Sequence, residues 1–227
     1  MIIYGKQLFL YILKNYPEKL IKVRLSKKCD QSLFYQIKKA CDDVVLVDNK
    51  KAQALCHGGN HQGFIAQIED IGFTQFSKIK QSSFLLILHG ITDVGNLGAI
   101  VRSAYSFGVD AIIISGIKSI NLEAIIRTSS GAVFEMPLVL QTNALDLIHE
   151  LKQVDFTLYG ADMDGVPVQN IKFDKKIALM MGSESDGIPN KIKTKLDRIV
   201  SINMARDFDS LNVGVATAIL CDRIFNG

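Results

Sequence analysis

Glu184, Arg102, Asn96, Ser210 and Asn212 are the polar residues whose setting in this sequence suggests chemistry. Each lies in or just beyond a Gly/Ser/Asn-rich stretch that follows an apolar run: around Asn96–Arg102, in MMGSESDG (Met180 to Gly187), and in Ile202–Asn212. Loops of this kind occupy the carboxyl ends of strands, where open α/β sheets build their sites. A carboxylate, a guanidinium, a hydroxyl and two carboxamides on three loops can form one pocket. Arg102, near a helix start, is placed to fork onto a phosphate. Gly182 lets a ligand approach the backbone closely. Blander roles stand beside these. Asp93 reads as a helix cap, Asn96 as a cap or a holder of a neighbour, Glu184 equally as a cap or an ion-pair partner, and Ser210 as the N-cap of the last helix.

The elements that must position these loops read as follows. Apolar runs at Phe84–His89, Ala111–Ser115, Pro137–Leu140, Phe156–Gly160, Lys176–Met181 and Arg198–Met204 are strands, several apolar enough to be covered on both faces. Helices are expected at Ala99–Phe107, Leu122–Ser129, Ala144–Gln153 and Ser210–Phe225. The last is apolar nearly all round, so it is expected to be buried in the core or in a dimer contact. Before them, a helix over Gly5–Asn15, strands at Leu20–Ser26, Val44–Val47 and Phe64–Ile68, and helices at Gln31–Asp42 and Lys50–Cys56 make a compact αβαβαβ module. Thr74–Ser83 is polar and aperiodic and reads as a linker. The expected boundaries are therefore 1–73, a linker at 74–83, and 84–227.

The bulk numbers narrow the class. The chain has 227 residues, 48% of them hydrophobic and 22% charged, enough for a sizeable core and wrong for disorder. The net charge is +3, and residues 1–70 hold 11 Lys/Arg against 7 Asp/Glu. A mildly basic N-terminal part is compatible with phosphate binding. The four cysteines, Cys29, Cys41, Cys56 and Cys221, show no CxxC, which points to a reduced cytoplasmic chain. Cys56, His57 and His61 read as a loop, since zinc would need more ligands at better spacing, and no metal is expected. No apolar run is long enough to span a membrane, and GxGxxG is absent.

Taken together, DVGNLGAIVRSAYSFGVDAII, ALMMGSESDGIP and SINMARDFDSLNVGVATAIL resemble, in order and separation, the three signature motifs of the SpoU (TrmH) family of RNA ribose 2′-O-methyltransferases. The opening IIYGKQLFLYIL and the phrase GNHQGFIA are similar to the L30e-like substrate-binding domain of the family's large-ribosomal-RNA guanosine methyltransferases. The resemblance implies an α/β fold of the SPOUT type whose C-terminal domain carries a deep trefoil knot, and a homodimer through that domain. It implies S-adenosylmethionine as cofactor, held at Gly182, Ile202 and Leu211 with Met181, Met204 and Ser210 close by. It implies Arg102 as the central catalytic residue, with Asn96, Glu184, Ser210 and Asn212 at the other polar positions. A guanidinium deprotonates with great difficulty, so phosphate positioning and charge stabilisation suit Arg102 better than proton abstraction. The expected reaction is methylation of a guanosine ribose in 23S rRNA. The alternatives are a tRNA ribose methyltransferase of the same family, a ribosome-assembly protein that binds RNA without methylating it, and a small-molecule enzyme. Asn203 stands where the family usually has Pro and Arg206 where it usually has Gly, changes that bear on cofactor affinity and on the path for RNA.

Overall fold

The computed structural model describes residues 1–206 and 210–227; Asp207 to Asp209, inside the third motif, lie outside the described residues. In chain order the elements are β1 (Ile2–Tyr4), α1 (Lys6–Asn15), β2 (Leu20–Leu25), α2 (Gln31–Ala40), β3 (Val44–Leu46), α3 (Asn49–Leu55) and β4 (Phe64–Ile68). There follow β5 (Phe84–His89), α4 (Val94–Ser106), β6 (Ala111–Ser115), α5 (Leu122–Thr128), β7 (Leu138–Leu140) and α6 (Ala144–Lys152). The chain closes with β8 (Thr157–Pro167), β9 (Ile177–Met181), α7 (Asn190–Lys193), β10 (Arg198–Ser201) and α8 (Val213–Asn226). Two compact units result: Met1–Gly72 with Asn121–Gly131, and Phe73–Ile120 with Ala132–Gly227.

The first unit holds a four-stranded sheet in the order β1-β4-β2-β3. α1 buries Leu8, Phe9, Ile12 and Leu13, the apolar stripe its periodicity sets out. α2 and α3 are capped by Asp30 and Asp48, whose carboxylates accept the amides of Leu33 and Lys51 at 2.7 Å each. β1 is too short to show a period in the sequence; pairing with β4 creates it. α5, far along the chain, belongs to this unit: Glu123 Oε1 accepts the Ile2 amide at 3.0 Å, and the Arg127 guanidinium lies 4.7 Å from the Tyr4 ring centroid. His61 is buried, its Nδ1 accepting the Gly63 amide at 3.1 Å, and Cys56 packs with Ala52 and Ile65. Both side chains are thus committed to the interior.

The second unit is a six-stranded sheet, parallel throughout, in the order β10-β8-β9-β5-β6-β7. β6 and β9 are buried at every residue, as continuous apolar strands between two helix layers must be. The stretch read as a linker packs into this unit: Thr74 donates its amide to Leu138 O at 2.7 Å, and Ile79, on a short 3-10 turn, is 3% exposed. From β5 the chain steps outward through β6 to β7, then returns to the other side of β5 for the rest. The reversal falls between β5 and β9, so the loops after these strands flank the topological switch point. Among the described residues no helix is long and apolar enough to cross a membrane.

Candidate active site

The first loop is shorter than its sequence suggests. Asp93 accepts the Asn96 amide at 2.7 Å and starts α4 at Val94, not at Ala99. Gly95, Asn96 and Gly98 therefore lie in helix rather than loop. Gly90, in left-handed backbone at φ +70°, turns the chain off β5 beside the second loop, where a Cβ on it would sit 3.8 Å from Ser183 Cβ. The third loop is longer than expected. β10 ends at Ser201, and α8 begins at Val213, with Asn212 rather than Ser210 as its N-cap. Asn212 Oδ1 accepts the amides of Gly214 and Val215 at 3.0 and 3.3 Å. Pro189 stands just before α7, at its N-cap.

These shifts bring three of the five polar candidates into contact. Asn212 Nδ2 donates to Glu184 Oε1 at 2.8 Å and to Asn96 Oδ1 at 2.9 Å. Asn96 Nδ2 donates to the same Glu184 oxygen at 3.3 Å. The Val213 amide, at the open end of α8, also reaches that oxygen at 3.3 Å. One carboxylate oxygen so collects three donors from two other segments, and its charge lies at a helix N-terminus, where the helix dipole favours it. The triangle fastens together the first turn of α4, the loop after β9 and the start of α8, which pack closely enough that a Cβ on Gly214 would lie 3.7 Å from Ala99 Cβ.

Arg102 is not part of the triangle. It is exposed in the third turn of α4, and among the described residues its guanidinium makes no hydrogen bond or ion pair. Ser210 is exposed as well.

Beside the triangle lies a cavity of about 480 Å³. Met181, Gly182, Ser183 and Glu184 form one wall, Ile202, Met204, Ser210 and Leu211 another, and Val213, Ala216 and Leu220 of α8 close it. All six residues expected to touch a cofactor line it. Its size falls within the usual range for small-molecule sites, about 300–1,000 Å³. Its lining combines apolar side chains with the hydroxyls of Ser183, Ser201 and Ser210 and the carboxylates of Asp162, Asp164 and Glu184.

Gly182 lines the cavity and is also required by its own loop. A Cβ there would lie 2.1 Å from the carbonyl carbon of Gly187 and 2.4 Å from the Ile188 amide, because the loop folds back on its own backbone.

The fourth wall has no counterpart in the sequence reading. The pairing of β8 with β10 jumps from Gly160↔Ile199 to Val166↔Val200, and the intervening Ala161, Asp162, Met163 and Asp164 swing out to line the cavity. Gly165 allows the return, since a Cβ on it would meet the Val200 backbone at 2.5 Å, and Ser201 Oγ donates to its carbonyl at 2.9 Å. Asp162 is tied to Lys193. Burial raises its carboxyl pKa, but the Lys193 bond and charge and the amides of Asp164 and Met163 outweigh it, leaving the group below its ordinary value. The alternation of small, acidic and glycine residues in GADMDG was the available sign of a strand leaving its ladder.

Comparison with known proteins agrees with this geometry. The SpoU rRNA Methylase family matches residues 83–222, and the RNA 2'-O ribose methyltransferase substrate binding family matches residues 2–73. The chain is similar to a 23S rRNA (guanosine-2'-O-)-methyltransferase of Haemophilus ducreyi, at 34% identity over 96% of this chain and 94% of that protein. It is similar to the corresponding protein of Yersinia pestis, at 30% identity over 96% and 94%. Among solved structures, an AdoMet-bound rRNA methyltransferase from Sinorhizobium meliloti superposes with a TM-score of 0.83 at 23% identity, covering 98% of this chain and 85% of that one. A matching family over well more than half the length, with three motifs joined by the Asn96–Glu184–Asn212 hydrogen bonds, leaves one conclusion: the chain belongs to the SpoU rRNA methylase family.

Proposed function

We propose that the protein transfers a methyl group from S-adenosylmethionine to the ribose 2′-hydroxyl of a guanosine in 23S rRNA. The observation that carries this reading is the 480 Å³ cavity at the carboxyl ends of β8, β9 and β10, bordered by the Glu184–Asn96–Asn212 triangle. The activity of the Haemophilus relative suggests the substrate, and the ligand of the Sinorhizobium structure the cofactor. When bound, S-adenosylmethionine provides an electrophilic methyl group on a leaving group that departs as a neutral thioether.

The residues of this chain bind and orient. Met181, Met204 and Leu211 enclose the apolar part of the cofactor, and the backbone at Gly182, Ile202 and Leu211 holds its base. Ser210 serves both cofactor and ribose at the open edge. Glu184, Asn96 and Asn212 keep the three loops in register, so that the hydroxyl meets the methyl group at a fixed distance. Arg102 takes a phosphate of the incoming RNA and stabilises charge that develops beside it; its exposure, with no hydrogen bond or ion pair to its guanidinium among the described residues, supports this role.

Two further readings belong here. The C-terminal domain carries a trefoil knot, a reading supported by β10 pairing with β8 and by the bonds of Asn212 and Val213 to Glu184 in the loop after β9. The protein works as a cytoplasmic homodimer through α8, supported by Val215 and Phe225 standing 50% and 62% exposed on a helix that is otherwise largely apolar.

Transfer of labelled methyl from S-adenosylmethionine to unmodified ribosomal RNA and to tRNA, side by side, tests the proposal. Label at an alkali-resistant position in large-subunit RNA is the expected result. Label only in tRNA overturns the substrate, and no label in either overturns the activity.

A further inference from the structure

α2 is a helix with too little to bury. Of its ten residues only Ile37 is buried, while Phe34 and Tyr35 stand 38% and 72% exposed. Next to it runs β3, the edge strand of the small sheet, with Leu46 59% exposed. Together with Leu25 these side chains line a groove of about 470 Å³ on the first unit. Lys28, Cys29, Gln31 and Lys38 complete the lining, and among the described residues neither lysine makes an ion pair or a side-chain hydrogen bond. The nearby carboxylates are committed: Asp30 caps α2, and Asp43 is held by Arg24 through two bonds of 2.8 and 3.0 Å. The groove therefore offers aromatic faces between two ammonium groups that no hydrogen bond or ion pair holds among the described residues.

That pairing matches one ligand chemistry. Unpaired bases stack on exposed rings while Lys takes the flanking phosphates. A duplex keeps its base faces stacked inside, and its shallow groove offers hydroxyls, base edges and phosphates to a protein, none of which stacks in an apolar slot. Resting on the RNA-methylation reading above, we propose that the groove between α2 and β3 binds unpaired nucleotides of the substrate RNA. A base stacks on Tyr35 and Phe34, and Lys28 and Lys38 hold its backbone. The first unit thereby selects a single-stranded loop in the substrate rather than a helix.

The test uses the full-length protein with a labelled oligoadenylate and a blunt RNA duplex of equal length. Tyr35→Ala is expected to weaken the single strand about tenfold, within the span that base stacking on one aromatic provides, and to leave the duplex unchanged. Tyr35→Trp is expected to keep single-strand affinity. Lys28→Ala and Lys38→Ala are each expected to lower the salt slope by about one. Equal single-strand affinity in wild type and Tyr35→Ala overturns the proposal, as does an equal loss for both probes. So does a Tyr35→Ala protein whose only change is loss of self-association in sedimentation, because the groove would then seat a second copy. Methyl transfer to ribosomal RNA by the wild type is run in parallel. Transfer with no Tyr35 effect sinks the groove alone, whereas no transfer sinks the activity and leaves the oligoadenylate comparison to decide the groove.

Discussion

Asn212→Ala, Glu184→Ala and the double variant, followed by denaturant unfolding, test whether the triangle acts as a unit. Asn212 makes two kinds of contact. As N-cap of α8 it satisfies two amides, a contribution of about 1 kcal/mol. Its Nδ2 donates to Glu184 and Asn96, and at a solvent-facing site each bond is taken at about 0.5 kcal/mol, the low end of the usual range. The single variant should therefore lose about 2 kcal/mol. Glu184→Ala removes three acceptor contacts, two of them long at 3.3 Å, and should cost about 1–1.5 kcal/mol by the same reckoning. The 2.8 Å bond between the two residues is counted in both, so the double variant should cost about 0.5–1 kcal/mol less than the sum. The single variants should melt several degrees lower, at about 2–4 °C per kcal/mol for a domain of this size. Calorimetry with S-adenosylmethionine should show weaker binding in both, since two cavity walls hang from these bonds. Losses that add to within about 0.3 kcal/mol would mean that the loops are fixed by packing and the triangle is incidental.

The other expectations concern single positions. Arg102→Ala should lower methyl transfer by about 100-fold or more, the scale of removing one charge-stabilising donor, while cofactor binding by calorimetry stays unchanged; a smaller drop would displace Arg102 from the centre of the reaction. Gly182→Ala should lower the melting temperature together with cofactor affinity, because its Cβ would strike Gly187 and Ile188 backbone; a variant that loses affinity at full stability would return the glycine to ligand contact. Asp162 has a folded pKa below its unfolded value, so its contribution to stability is present above about pH 4 and fades as pH falls through the lower folded value. The stability gap between wild type and Asp162→Asn should accordingly narrow in acid, and a gap that is constant down to pH 2 would detach the carboxylate from the effect.

The sequence by itself determined the strands of the large sheet, because residues covered on both faces must be apolar and runs such as AIIIS and IALMM leave no other reading. It determined which loops converge, since small and polar residues after such strands mark their carboxyl ends, and through its ordered motifs it pointed to the family. Only the tertiary structure decided how the loops are fastened. Ser210 and Asn212 are both good caps, and the choice fell to Asn212 because Glu184 and Asn96, 28 and 116 residues away, accept its amide. The excursion at Ala161–Asp164 left only a weak sign in GADMDG, because where a strand leaves its ladder depends chiefly on its partner's register. Gly182 needed the structure for a related reason: a glycine announces a close approach without saying what approaches, and one of the neighbours here is the loop's own backbone. α5 reads in sequence as part of the large sheet's connections, yet its contacts with Ile2 and Tyr4 tie it to the first unit, a placement that no local periodicity encodes.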